Sequence, residues 1–248
     1  MNLQNKVAVI TGSTTGIGEA VAEQLHQHDA KVVIVSRSPE QAIQKAKQLS
    51  SQGQQALGIG CDVSQPEQVQ KMIAEVIKHF GRLDYAVNNA GITGEHGKNI
   101  TEQTVENWDK VIATSLSGVF YCLKYEIPAM MKFGGSIVNL SAVNGLVGIP
   151  GLAPYTVAKH GIIGLTQTAA LEFATQGIRI NAVAPGYVQT PRMSEFPDNI
   201  VRSFANSHPM KRMAKMQEIA DFILFLLSEN AAFCTGGVYP IDGGYLAE

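Results

Sequence analysis

Short aliphatic and β-branched runs alternate along the chain with longer stretches whose apolar residues recur every three or four positions. Residues 7–11, 31–36, 56–61, 83–88, 136–141 and 179–184 read as strands, with 237–241 as the last. These runs are apolar throughout rather than at every second residue, which predicts strands covered on both faces. Residues 17–28, 39–52, 66–80, 105–131, 154–175 and 217–228 carry the helical period. Ser64-Gln65-Pro66-Glu67 has the form of a capping box with proline just inside the helix, which sets one of these starts. Regular strand–helix alternation predicts an α/β, doubly wound architecture: a seven-stranded parallel sheet with helices on both faces. Residues 190–213 break the rhythm. They are rich in Pro, Met and Phe, and a connection of that length in a compact domain reads as a substrate lid.

Composition narrows the function classes. At 248 residues, with no repeat or linker, the chain suits a single domain over residues 1–248. Apolar residues at 45% and charged residues at 16% are wrong for disorder. A net charge of -2, with Lys and Arg scattered, offers no footprint for nucleic acid or an anionic membrane. No apolar run reaches the ~20 residues of a membrane helix, and the early first strand leaves no room for a signal peptide. Cys61, Cys122 and Cys234 are far apart and odd in number, which points to reduced thiols in the cytoplasm. His96, His160 and His208 lack ligand spacing, so no metal is expected.

The first strand runs into Thr11-Gly12-Ser13-Thr14-Thr15-Gly16-Ile17-Gly18, which opens the first helix with the spacing GxxxGxG. Glycines there let the backbone approach a pyrophosphate, and free N–H groups with the helix dipole attract its charge. At the end of the second strand stands Val35-Ser36-Arg37-Ser38, with no carboxylate to bond a ribose 2′-hydroxyl. Arg37 can pair with a 2′-phosphate, aided by the hydroxyls of Ser36 and Ser38, so NADP(H) is favoured over NAD(H), which stays open.

With Asn88-Asn89-Ala90-Gly91, Tyr155-Thr156-Val157-Ala158-Lys159, Pro185-Gly186 and Asp242-Gly243-Gly244 following in order, the chain resembles the short-chain dehydrogenase/reductase family from about Val7 to Gly244. The resemblance implies a Rossmann-type domain. It places Gly12, Ser13, Thr15, Gly16, Ile17 and Gly18 at the pyrophosphate, Asp62 and Val63 at the adenine, and Asn89, Ala90 and Gly91 at the ribose and central sheet. Pro185, Gly186, Val188 and Thr190 would hold the nicotinamide amide and ribose.

Tyr155 and Lys159 are i, i+4 on one helix and share a face. The ammonium is expected to draw the phenol towards working pH, making Tyr155 the acid for carbonyl reduction or the base for alcohol oxidation. The resemblance also implies two members that this chain lacks. Ala142 stands where relatives carry a catalytic serine, with Ser141 beside it, and Ser115 stands where they carry an asparagine that holds a water. A swap of roles to Ser141 needs a bulge, because neighbouring strand residues face opposite ways. Met193, Phe196, Ile200, Phe204 and Met210 in residues 190–213 point to a mainly apolar small-molecule substrate. The expected activity is NADP(H)-dependent interconversion of a ketone and a secondary alcohol. The alternatives are reduction of 3-oxoacyl groups on acyl carrier protein, or a cofactor-binding sensor or scaffold with an impaired site. A basic rim for an acidic carrier is thin: Lys124 and Lys132, but Ala174-Thr175-Gln176 where a cation would help. The helix around Tyr155 is apolar nearly all round, and the family resemblance implies a homotetramer.

Overall fold

The computed structural model describes residues 3–247. The first half runs β1 (Val7–Thr11), α1 (Gly16–Gln27), β2 (Lys31–Ser36), α2 (Pro39–Leu49), β3 (Ala56–Gly60), α3 (Pro66–Phe80) and β4 (Tyr85–Asn88). The second continues with α4 (Val105–Ile112), α5 (Gly118–Met130), β5 (Gly135–Leu140), α6 (Ala153–Phe173) and β6 (Ile178–Pro185). After it come β7 (Val188–Gln189), α7 (Asp198–Asn206), β8 (Ala214–Lys215), α8 (Met216–Leu227) and β9 (Val238–Ile241).

Seven strands form one parallel sheet in the order β3-β2-β1-β4-β5-β6-β9. The two-residue period of the strands divides the core into two layers. Ala8, Ile10, Val32 and Ile34 pack beneath α1, α2 and α8, while Val7, Val9, Val33 and Val35 pack beneath α3, α5 and α6. Every residue of β1 is buried, as the continuous apolar run requires. Fully buried Ile10 and Ile34 each stabilise the fold by roughly 1.5–3 kcal/mol through burial alone.

Three local expectations are corrected. The start of α3 is not a Ser64 capping box: Gln65 is the N-cap, and the Ser64 hydroxyl donates instead to the Asp62 carboxylate at 2.8 Å. The long helix expected over 105–131 is not uniform, because it widens into a π-turn at Ala113–Ser117 between α4 and α5. Such widening is commonest where a helix serves a site, and this one carries Ser115. Residues 190–213 are not irregular chain: they hold a 3-10 turn at Pro191–Glu195 and then α7, and the flanking β7 and β8 pair in parallel at the base.

The sheet order reverses between β1 and β4, so the connections after these strands leave in opposite directions and open a crevice at their carboxyl ends. All the loops singled out from the sequence issue from that edge.

Candidate active site

The glycine turn after β1 borders a groove of about 440 Å³ that continues past Arg37, Asp62, Val63 and Asn89. Gly12 and Gly16 adopt left-handed φ of 64° and 68°, which a side chain would strain. Gly18 serves packing instead: a Cβ there would stand 2.5 Å from the Gly12 carbonyl oxygen and 2.6 Å from Asn89 Nδ2. Asn89 donates that amide to the carbonyls of Thr11 and Gly12, at 3.0 and 2.9 Å, and so fixes the turn from β4. Thr15, the N-cap of α1, makes no side-chain cap, which leaves the first-turn N–H groups of α1 open to an anion. Arg37 is exposed on the groove wall, and no ion pair involves it among the described residues. These features fit a phosphorylated dinucleotide.

Thr15, Gly16, Ile17, Ser36, Arg37, Asp62, Val63, Asn89, Ala90, Gly91 and Thr190 all border the groove. Two expected hydroxyls do not. Ser13 is fully buried, donating to the Ile10 carbonyl at 2.7 Å and accepting from the Val35 N–H at 3.0 Å. Ser38 caps α2, accepting from the Gln41 N–H and donating to Glu40.

Beside the groove lies a second cleft of about 280 Å³, floored by Tyr155 and Lys159. Ile17, Asn89, Gly91, Ile92, Thr190 and Arg192 border both spaces, so the two are continuous. Pro185, Gly186 and Val188 form one wall, and Ala142, Val143 and Leu152 another. The segment after β7 contributes Met193, Phe196 and Phe204; Ile200 and Met210 lie outside the lining, which trims the apolar set expected from the sequence. Phe204 stacks on Tyr187 with ring centres 4.3 Å apart. His208 locks this wall: its Nε2 accepts from the Tyr187 N–H at 3.1 Å, and its Nδ1 bonds the Phe204 carbonyl at 2.9 Å. His160 and His96 bond the Thr156 carbonyl and the Thr93 hydroxyl.

Tyr155 and Lys159 share one face of α6, but their electrostatics differ from expectation. Lys159 Nζ donates to the Leu140 carbonyl at 2.6 Å and stands 5.4 Å from the Tyr155 ring centre. Burial pushes the phenol up to about 12, opposed by Arg192. Burial also pushes the Lys159 ammonium down to about 8. Tyr155 therefore carries its proton at neutral pH.

Ala142 presents only a methyl group to the cleft. Ser141 also borders the cleft, but its hydroxyl donates to the Lys159 carbonyl at 2.9 Å and is closed in by Gly145. The Ser115 hydroxyl donates to the Ile92 carbonyl and accepts from the Ile92 N–H, both at 2.9 Å. It braces the loop after β4, so its one proton is already committed and the water-holding part expected for it is not supported. Thr93, His96, Asn144, Leu152, Tyr187 and Arg192 line the cleft yet escaped the motif reading. Their common signal is position on the segments following β4, β5, β6 and β7.

A larger hollow of about 520 Å³ lies at the opposite strand ends, beside Lys6, Asp84 and Arg179. Most of its charges are engaged: Asp84 pairs with Lys6 and Arg82, and Arg179 donates to carbonyls at the end of α8.

The comparisons agree with this geometry. The family model described as enoyl-(acyl carrier protein) reductase matches residues 12–246. The chain is 40% identical over 246 residues to cyclohexanol dehydrogenase of Acinetobacter sp. (strain SE19), covering 98% of this chain and 96% of that relative. It is 36% identical over 242 residues to the 3-oxoacyl-[acyl-carrier-protein] reductase FabG of Staphylococcus epidermidis, covering 97% and 98%. The solved structure of ElxO with NADP bound superposes with a TM-score of 0.92 at 39% identity, covering 98% and 99% of the two chains. With its glycine turn, its Tyr155–Lys159 pair and these full-length relatives, the chain belongs to the short-chain dehydrogenase/reductase family.

Proposed function

We propose that the protein is an NADP(H)-dependent oxidoreductase that interconverts a ketone and a secondary alcohol. One observation carries the reading: half-buried Tyr155 and buried Lys159 floor an apolar cleft that opens directly into a groove ending at Arg37. The relatives support it, one a cyclohexanol dehydrogenase and one a structure with NADP bound.

The cofactor, when bound, supplies a hydride to the carbonyl carbon. Gly12, Gly16 and the open N–H groups of α1 hold its pyrophosphate, and Arg37 holds the 2′-phosphate. Tyr155 holds a proton at its phenol oxygen and passes it to the carbonyl oxygen as that oxygen becomes an alkoxide. A phenol pushed up to about 12 still surrenders its proton to an alkoxide, the stronger base. Lys159, positively charged below about 8, favours the phenolate that remains. The walls of Val143, Leu152, Met193, Phe196 and Phe204 exclude water and select an apolar substrate of modest size. The segment from Thr190 through α7 acts as the lid.

A panel of cyclic and linear ketones and their alcohols, with an acetoacetyl thioester among them and both coenzymes supplied, tests the reading. Turnover of simple ketones with NADPH is expected. Turnover of the thioester alone would favour the 3-oxoacyl reductase reading, and binding of NADPH without turnover of any compound would favour the sensor. Self-association, as a homotetramer, is supported by apolar side chains left exposed on α5 and α6: Phe120, Val157 and Leu171, the last 84% exposed. The free cysteines fit a reducing, cytoplasmic setting. No helix among the described residues is long and apolar enough to cross a membrane.

A further inference from the structure

We propose that Asn144 donates the hydrogen bond to the substrate oxygen that Ala142 cannot give. The inference rests on the ketone–alcohol reading of the cleft. Carbonyl reduction builds negative charge on that oxygen, and a fixed donor beside the general acid is the usual means of stabilising it. Ala142 has no donor. The two serine hydroxyls of this region are committed, Ser141 to the Lys159 carbonyl and Ser115 to Ile92, while Thr93 shares its hydroxyl with the His96 ring.

Asn144 is placed differently. It sits two residues beyond Ala142 in the 3-10 turn Val143–Gly145, which the Gly145 N–H closes onto the Ala142 carbonyl at 2.8 Å. It lines the same cleft as Tyr155 while only 6% exposed. Its one hydrogen bond runs from Nδ2 to Thr156 Oγ1 at 3.5 Å, the outer limit for such a contact. Thr156 makes no other side-chain hydrogen bond among the described residues. A threonine hydroxyl donates as readily as it accepts. Turning the Asn144 amide end for end therefore lets Thr156 donate to Oδ1 and presents both Nδ2 hydrogens to the cleft. A rigid turn, a buried amide and a partner that serves either orientation make a donor that reorients towards a developing oxyanion while keeping its contact with Thr156.

The test compares wild type, Asn144→Ala, Asn144→Asp, Ala142→Ser and the double variant Asn144→Ala/Ala142→Ser. NADPH affinity and melting temperature monitor folding. With a ketone turned over by the wild type, both Asn144 variants are expected to lose ~10²–10³ in kcat with NADPH affinity unchanged. Ala142→Ser should restore most of that loss in the Asn144→Ala background and change the wild type by only a few-fold. Equal effects of Ala142→Ser in both backgrounds would show independent sites and overturn the proposal, as would kcat of Asn144→Ala within a few-fold of wild type. Binding of trifluoroethanol to the NADP+ complex supplies a second readout that needs no turnover, and Asn144→Ala should weaken it about tenfold. That weakening in a protein that turns over nothing in the panel would uphold Asn144 and overturn the reading of the reaction. Turnover that survives Asn144→Ala would overturn Asn144 alone, and a wild type that neither reacts nor binds the alcohol would overturn both.

Discussion

The Ser141 hydroxyl donates to the main-chain carbonyl of Lys159 across 2.9 Å, joining the end of β5 to the second turn of α6. That contact gives the serine beside Ala142 a structural duty, setting the helix that carries the phenol and the ammonium against the strand that forms the cleft wall. Removing it should loosen the scaffold rather than abolish the chemistry. Ser141→Ala is expected to lower the melting temperature by a few degrees, the equivalent of about 1 kcal/mol for one buried hydrogen bond. Its kcat should stay within about tenfold of wild type. A loss of ~10² or more at unchanged stability would identify Ser141 as the missing oxyanion donor instead.

Arg37 stands on the groove wall and forms no ion pair among the described residues. Arg37→Ala should raise the NADPH dissociation constant by about tenfold to a hundredfold, the range of a charge-assisted contact, and leave NADH almost unchanged. NADPH binding to the wild type should also weaken more steeply with added salt than binding to the variant. Titrations of both coenzymes at two ionic strengths check this. Equal losses for the two would remove Arg37 from selectivity.

Tyr155→Phe keeps the ring and deletes the phenolic proton at the cleft floor. Its kcat should fall by at least ~10², while NADPH affinity holds. Fluorescence titration beside stopped-flow rates separates the two quantities, and substantial residual turnover would mean that another group donates the proton.

Glu126 of α5 is fully buried and accepts from Asn88 Nδ2 at 3.0 Å, while its own Oε1 and the Asn88 Oδ1 have no partner. Burial pushes its carboxyl from the ordinary 4.5 up to about 7, opposed by the Asn88 bond. A raised folded value means that the native state binds the proton more tightly than the unfolded chain. Stability from this group is whole below about 4.5 and declines as pH rises through about 7. Glu126→Gln keeps the acceptor, supplies a donor and removes the titration. Its gain in stability should be small at pH 4 and grow to the order of 1–3 kcal/mol at pH 8, read from denaturant melts across that range. A gain that does not change with pH would mean that Glu126 is not the titrating group.

Much of this was legible because the signals are local. The strand runs, the glycine turn and the Tyr155–Lys159 spacing each depend on neighbours in sequence, and each appears where the pattern placed it. What misled depends on partners far along the chain. Ser13 is spent on the carbonyl of Ile10 and the N–H of Val35, and the latter is a contact no short window of sequence contains. The i, i+4 spacing put Lys159 beside Tyr155 but said nothing of Leu140, the oxygen its ammonium meets. Glu126 did leave a trace: it is the sole acid in the apolar stretch of α5.

The reversal of strand order between β1 and β4 also separates two inheritable choices. Arg37, proposed to discriminate between coenzymes, hangs from β2 on one side of the crevice; Asn144, Phe196 and Phe204, proposed to meet the substrate, hang from β5 and the segment after β7 on the other. No hydrogen bond joins these two sets among the described residues. A lineage built on this sheet can exchange one redox currency for another, or one carbonyl for another, by substitutions that do not meet. Descendants can thus diversify along either axis while the other stays as it was.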